Sequence, residues 1–121
     1  MENVLLIGYL TDLLEKRKKC LEHAGYEVTC ATSSNGALRL VEGRGFSVVI
    51  FGQGIPENER TRIARRIKQV NPATKLIMLY LASIKNAELA DAIIHATADP
   101  FDLVHIIDEL AGRQSRRMSG T

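Results

Sequence analysis

The chain has no apolar run approaching the roughly 20 residues that a membrane-spanning helix needs. Met1-Glu2-Asn3 leads directly into apolar residues, with neither a basic n-region nor a cleavage site, so no secretory signal is expected. There is no CxxC spacing: Cys20 and Cys30 are isolated, and two buried, reduced thiols are expected rather than a redox pair. Nor is there a surplus of one charge. Sixteen Lys and Arg face fourteen Asp and Glu. Three of the basic residues, Arg113, Arg116 and Arg117, lie beyond the last acid, Glu109, which leaves 13 basic against 14 acidic residues in the body. A near-neutral body has no general pull toward nucleic acid or an anionic membrane. Internal repeats, low-complexity segments and linkers are also missing, and the cytoplasm is the expected location.

What is present is one domain's worth of alternating strand and helix signals. With 121 residues, 45% hydrophobic and 25% charged, the chain can bury a substantial core. Val4-Leu5-Leu6-Ile7 stops at Gly8 and reads as a strand covered on both faces. Thr11 is placed as an N-cap, with Asp12 and Glu15 in the first helical turn. Leu10, Leu13, Leu14, Leu21 and Ala24 recur at helical spacing up to the stop signal Gly25. The second strand, Tyr26 to Ala31, alternates more and belongs nearer an edge. Ser33 or Ser34 can cap a short helix carrying Ala37, Leu38 and Val41 and ending at Gly43. Phe46 to Phe51 forms a third, apolar strand. Pro56 precedes a helix whose Ile63, Ile67 and Val70 face inward and which Asn71-Pro72 closes. Lys75 to Tyr80 is a fourth strand, followed by a helical stretch around Lys85 to Ala90 and a short strand near Ala92-Ile93-Ile94. Asp99-Pro100 opens a last helix with Leu103, Ile106, Ile107 and Leu110 on one side. Such alternation specifies an α/β fold: a flavodoxin-like three-layer sandwich on a five-stranded parallel sheet of order 2-1-3-4-5. The expected division is a domain over 1–111 and a disordered basic tail over 112–121.

Ligand sites of such sheets form beyond the carboxyl ends of the strands. Gly25-Tyr26-Glu27-Val28, the apolar strand ending at Gly52 four residues before Pro56, and Asp99-Pro100-Phe101-Asp102 resemble the receiver domain of two-component response regulators over residues 3 to 111. The resemblance implies a pocket with an acidic pair after the first strand and a phosphoacceptor Asp ending the third. A Thr or Ser ends the fourth strand, and a Lys before Pro ends the fifth. Phosphoryl transfer to a carboxylate gathers negative charge that a metal ion and a lysine must offset. Here Gly8 and Tyr9 fall at the acidic pair, Gly52 at the acceptor, Tyr80 at the hydroxyl residue and Asp99 at the lysine. Every polar group of that pocket is replaced. Arg60 stands where the family's third helix usually has glycine, and the segment between Tyr80 and Asp99 is short, so an abbreviated fourth helix is expected.

The simpler readings of individual residues are structural. Asp12 is a first-turn helix charge and Asp99 a helix cap. Tyr9 and Tyr80 are packing residues with a wet hydroxyl. Gly8, Gly52 and Gly54 suit tight turns, with a cavity at the switch point as the alternative. His23, His95 and His105 share no spacing that suggests a metal site or general base. Arg60, Arg62, Arg65, Arg66 and Lys68 form a basic run that is either a solvated face or a contact for an acidic partner; without an aromatic it does not support base stacking. The resemblance then implies a pseudo-receiver: a non-catalytic, phosphorylation-independent signalling domain with no cofactor and no metal. Its expected partner is a protein, a second copy of the chain being one candidate, with no specific nucleic acid and no membrane. The alternative is a sensor that holds a small ligand among the glycines. An enzyme of another flavodoxin-like family is disfavoured by the lack of a nucleophile–base pair or phosphate loop.

Overall fold

Residues 4–7 are apolar on both sides of the pleat because this strand, β1 (Asn3–Ile7), is central. It pairs in parallel with β2 (Glu27–Ala31) on one side and β3 (Val48–Phe51) on the other. The sheet continues through β4 (Lys75–Tyr80) and β5 (Ala92–His95), all parallel, in the order β2-β1-β3-β4-β5. The computed structural model describes residues 2–80, 87–96 and 99–111. The tail expected from residue 112, and residues 85–86 of the expected helical stretch, lie outside the described residues.

Among the described residues four α-helices cover the sheet: α1 (Thr11–His23), α2 (Ser34–Gly43), α3 (Glu57–Val70) and α4 (Pro100–Ala111). The period-2 alternation of the strands assigns each residue to a face. Leu5, Ile7, Val49, Phe51, Leu76 and Met78 pack with Ala37 and Val41 of α2 and Ile63 and Ile67 of α3. Val4, Leu6, Val48, Ile50, Ile77, Leu79 and Ile94 pack with Leu14 and Leu21 of α1 and Leu103 and Ile107 of α4. This is the three-layer, five-stranded arrangement read from the sequence. Where a receiver has its fourth helix, the described residues contain a single 3-10 turn, Ala87–Leu89. Among the described residues no helix is long and apolar enough to cross a membrane.

Three local readings change. Thr11 is the first helical residue and not the cap. The cap position belongs to Leu10, whose backbone is extended and whose side chain offers no hydrogen bond. Leu10 is 52% exposed and Val70 42% exposed, so neither belongs to the inward stripe; in α3 that stripe is Ile63, Ala64 and Ile67. The third strand begins at Val48, not Phe46, because Ser47 and Phe46 lead in from the α2 connection. Ser33 is the residue that caps α2, its hydroxyl accepting the Gly36 N–H at 3.0 Å. Cys20 and Cys30 are both free, and half-buried instead of fully buried.

Candidate functional site at the carboxyl edge of the sheet

The turns after β1 and β3 lie side by side at the switch in strand order. The Gly8 N–H donates to the Ala31 carbonyl at 3.0 Å and the Gly52 N–H to the Ile7 carbonyl at 2.8 Å. A Cβ on Gly52 would stand 3.0 Å from the Ile7 carbonyl oxygen and 3.5 Å from Gly8 Cα. A Cβ on Gly8 would meet Leu14 Cδ1 at 2.9 Å. Neither glycine has a positive φ; what they supply is close approach. The turn reading fits Gly54 instead, whose φ is +111°.

The group that fills this corner is one the sequence reading did not single out. Arg17, on α1, is only 8% exposed. Its position completes the inward stripe Leu14, Arg17, Leu21, at the one place where that stripe has no apolar residue. Its Nη2 donates to Gln53 Oε1 at 3.0 Å and lies 3.5 Å from the Ala96 carbonyl oxygen. Its Nη1 lies 3.5 Å from the place where a Gly52 Cβ would be. A guanidinium thus bridges the connection after β3 and the connection after β5. Burial pushes its pKa below the usual arginine value, though desolvation of this size leaves arginine charged.

The other residues expected in the pocket are committed elsewhere. Tyr9 packs on the core under α2 and α3, and its hydroxyl donates to Glu59 Oε1 at 2.6 Å. Burial first, and then the Glu59 bond and charge, raise its pKa from 10.0 to about 12. Tyr80 is half-buried at the end of β4 and meets His95 edge to face, the ring centroids 5.1 Å apart at 78°. Asp99 is exposed, and its Oδ1 accepts the Phe101 N–H at 2.8 Å, which caps α4. Asp99 also acts on Cys20, whose pKa is raised first by burial and then by this carboxylate. Among the described residues no group of three His, Cys, Asp or Glu could hold a metal ion.

Most of the basic run on α3 is tied down within the chain. Arg66 makes a two-point contact with the Glu42 carboxylate and donates to Gln69. Arg62 donates to Ser34 Oγ at 3.1 Å. Lys68 lies 3.6 Å from Asp91 and 3.4 Å from the Thr74 carbonyl oxygen. Arg60 is directed at the Ile55 carbonyl, 3.5 Å away. Arg65 is exposed. An open groove of about 700 Å³ runs between α2 and α3, lined by Leu38, Thr61, Arg62 and Arg65 among others, away from Gly52.

No family model matches the chain. It is 32% identical over 108 residues to the transcriptional regulatory protein CrdR of Helicobacter pylori, covering 86% of this chain and 49% of that protein. The chain therefore spans about half the length of this curated relative. Among solved structures, it is similar to a response regulator receiver (CheY-like) domain protein of Methanospirillum hungatei. The identity there is 28%, the TM-score 0.85 and the coverage 97% and 98% of the two chains. A receiver domain protein of Clostridium thermocellum shows 27% identity and a TM-score of 0.83 over 95% and 98%. Strand order and backbone define a flavodoxin-like α/β domain of the CheY-like kind. Within that class, the similarity in sequence and structure supports a response-regulator receiver domain of two-component signalling.

Proposed function

We propose that the chain is a receiver domain that signals without phosphorylation, is not an enzyme, and acts through protein–protein contact. The observation that carries this reading is the buried Arg17 guanidinium standing over Gly52. An acyl phosphate needs a carboxylate to form on, a cation to offset its charge and oxygen ligands to hold that cation. Gly52 offers no acceptor, Gly8 and Tyr9 offer no metal-binding carboxylate, and Asp99 is negative where the resemblance implies a lysine. A divalent cation arriving here would meet the positive charge of Arg17. The degenerate positions Gly8, Tyr9, Gly52, Tyr80 and Asp99 then act as framework. The working unit is 1–111 followed by a basic tail, located in the cytoplasm, with no cofactor. Its partner is a protein or a second copy of the chain, with no specific nucleic acid and no membrane, and the exposed side of Arg62 and Arg65 is the candidate contact. The test is incubation with acetyl phosphate and Mg²⁺ followed by intact-mass measurement. An unchanged mass is expected, and a stoichiometric phosphoryl adduct overturns the reading.

A further inference from the structure

Among the described residues no carboxylate touches Arg17. Its Nη2 bonds to neutral acceptors, Gln53 Oε1 and the Ala96 carbonyl. Its Nη1 has no hydrogen-bond partner among the described residues and faces the space a side chain on Gly52 would take, 3.5 Å away. Desolvation by burial holds its pKa below the ordinary arginine value. Burying a guanidinium costs several kcal/mol unless an anion and further hydrogen bonds compensate it. The Gly8 and Gly52 N–H groups are already spent on Ala31 and Ile7 and are not available to a ligand. Arg17 Nη1 is thus an unspent donor at this corner among the described residues, and the planar fork of the guanidinium suits an oxyanion better than any other ligand class.

We propose that Arg17 is the recognition group of a metal-free site for a small oxyanion at the carboxyl edge of the sheet. The ligand is a phosphate or a carboxylate, free or carried on a small molecule, held on Arg17 Nη1 beside Gly52. It binds reversibly and without covalent transfer. Arg17 already bridges the turns after β3 and β5 through Gln53 and Ala96, so an anion on Nη1 joins a third group to that bridge and stiffens both turns. The inference rests on the reading of a site without a phosphoacceptor, and its failure is separable from that reading's: an acyl-phosphate adduct overturns the latter, whereas the present site is tested by reversible binding.

The experiment titrates sodium phosphate and sodium acetate into the whole chain at ionic strength held constant with sodium chloride, read by calorimetry and thermal melting. Saturable binding with a rise in melting temperature is expected for at least one of the two. Loss of a charge-assisted hydrogen-bond pair should weaken it on the order of tenfold or more in Arg17→Met. Gly52→Asp, which tethers a carboxylate against the same nitrogen, should abolish it by competition. Replacing Arg62 and Arg65 together by glutamine should leave it unchanged. If one of the two pocket variants does not fold, the other decides. Absence of saturable binding to the unmodified chain overturns the proposal. So does full-strength binding in Arg17→Met or in Gly52→Asp, or loss of binding in the Arg62 and Arg65 variant, which would move the anion to α3.

Discussion

Tyr9 shows how far a single side chain can depart from its solution chemistry by turning toward the framework. Its hydroxyl is a donor to Glu59, and ionising it would set a phenolate against a carboxylate in a half-buried place. The folded state therefore holds the proton up to about pH 12, against 10.0 for the ordinary phenol. A group with a raised folded pKa contributes its full stability below the unfolded value and loses it as pH climbs through the folded one. Stability carried by Tyr9 is thus constant to about pH 10 and declines between there and about 12. An ultraviolet absorbance titration of the native protein should show a component titrating near pH 12, and Tyr9→Phe should lower the late-titrating amplitude by one tyrosine. If that amplitude is unchanged in the variant, the assignment is wrong. Gly8 and Gly52 could be read from strand ends and spacing, since a residue that lacks a side chain announces what it cannot do. Arg17 was hidden by its neighbours: Lys16, Lys18 and Lys19 make the stretch read as a solvated face. The only trace was the break in the apolar stripe between Leu14 and Leu21.

At the scale of elements, strands were the more legible part. Runs such as Val48 to Phe51 are apolar throughout because parallel strands are covered on both faces, and the sequence offers no other home for them. Helix ends were less legible, since capping depends on which residue's backbone leaves the helical region, not on residue type alone. The two N-termini give a paired prediction. Ser33→Ala removes the bond from the Gly36 N–H and should cost about 1 kcal/mol. Thr11→Ala removes no cap, because Thr11 is already helical and exposed, and should stay within about 0.5 kcal/mol of the unmodified chain. Chemical denaturation of both variants checks the pair. Equal losses would restore Thr11 as a cap and contradict the observed helix start. The abbreviated segment between β4 and β5 was legible from length alone, but its 3-10 turn was not: Ala87-Glu88-Leu89 is too short for any periodicity to show.

Across the whole molecule, the two faces of the sheet are closed by different means. On the α1 and α4 side, the buried Tyr26 hydroxyl donates to the Asp108 carboxylate, which ties the entrance of β2 to the last helix over 82 positions of sequence. Tyr26→Phe keeps the ring and removes that donor, leaving a buried carboxylate with one fewer partner. The expected loss is about 1–3 kcal/mol, read as a lower denaturation midpoint with an unchanged slope. A loss under about 0.5 kcal/mol would mean that the bond is replaced by solvent. That link was out of reach of the sequence, because an Asp on a helix reads as exposed until the partner beneath it is known.

The unequal reach of the two core clusters has a consequence for how the chain is made. Among the described residues, the cluster beneath α2 and α3 draws its buried members from positions between Leu5 and Met78. The other cluster is incomplete without Leu103 and Ile107. A chain leaving the ribosome can seal the first face once β4 has emerged. On the opposite side, α1 supplies Leu14 and Leu21 early, but the cover by Leu103 and Ile107 must wait for α4, which follows every strand of the sheet. During that interval the part of this flank that α1 does not cover is bare, and this is the surface that a chaperone meeting the nascent chain would find.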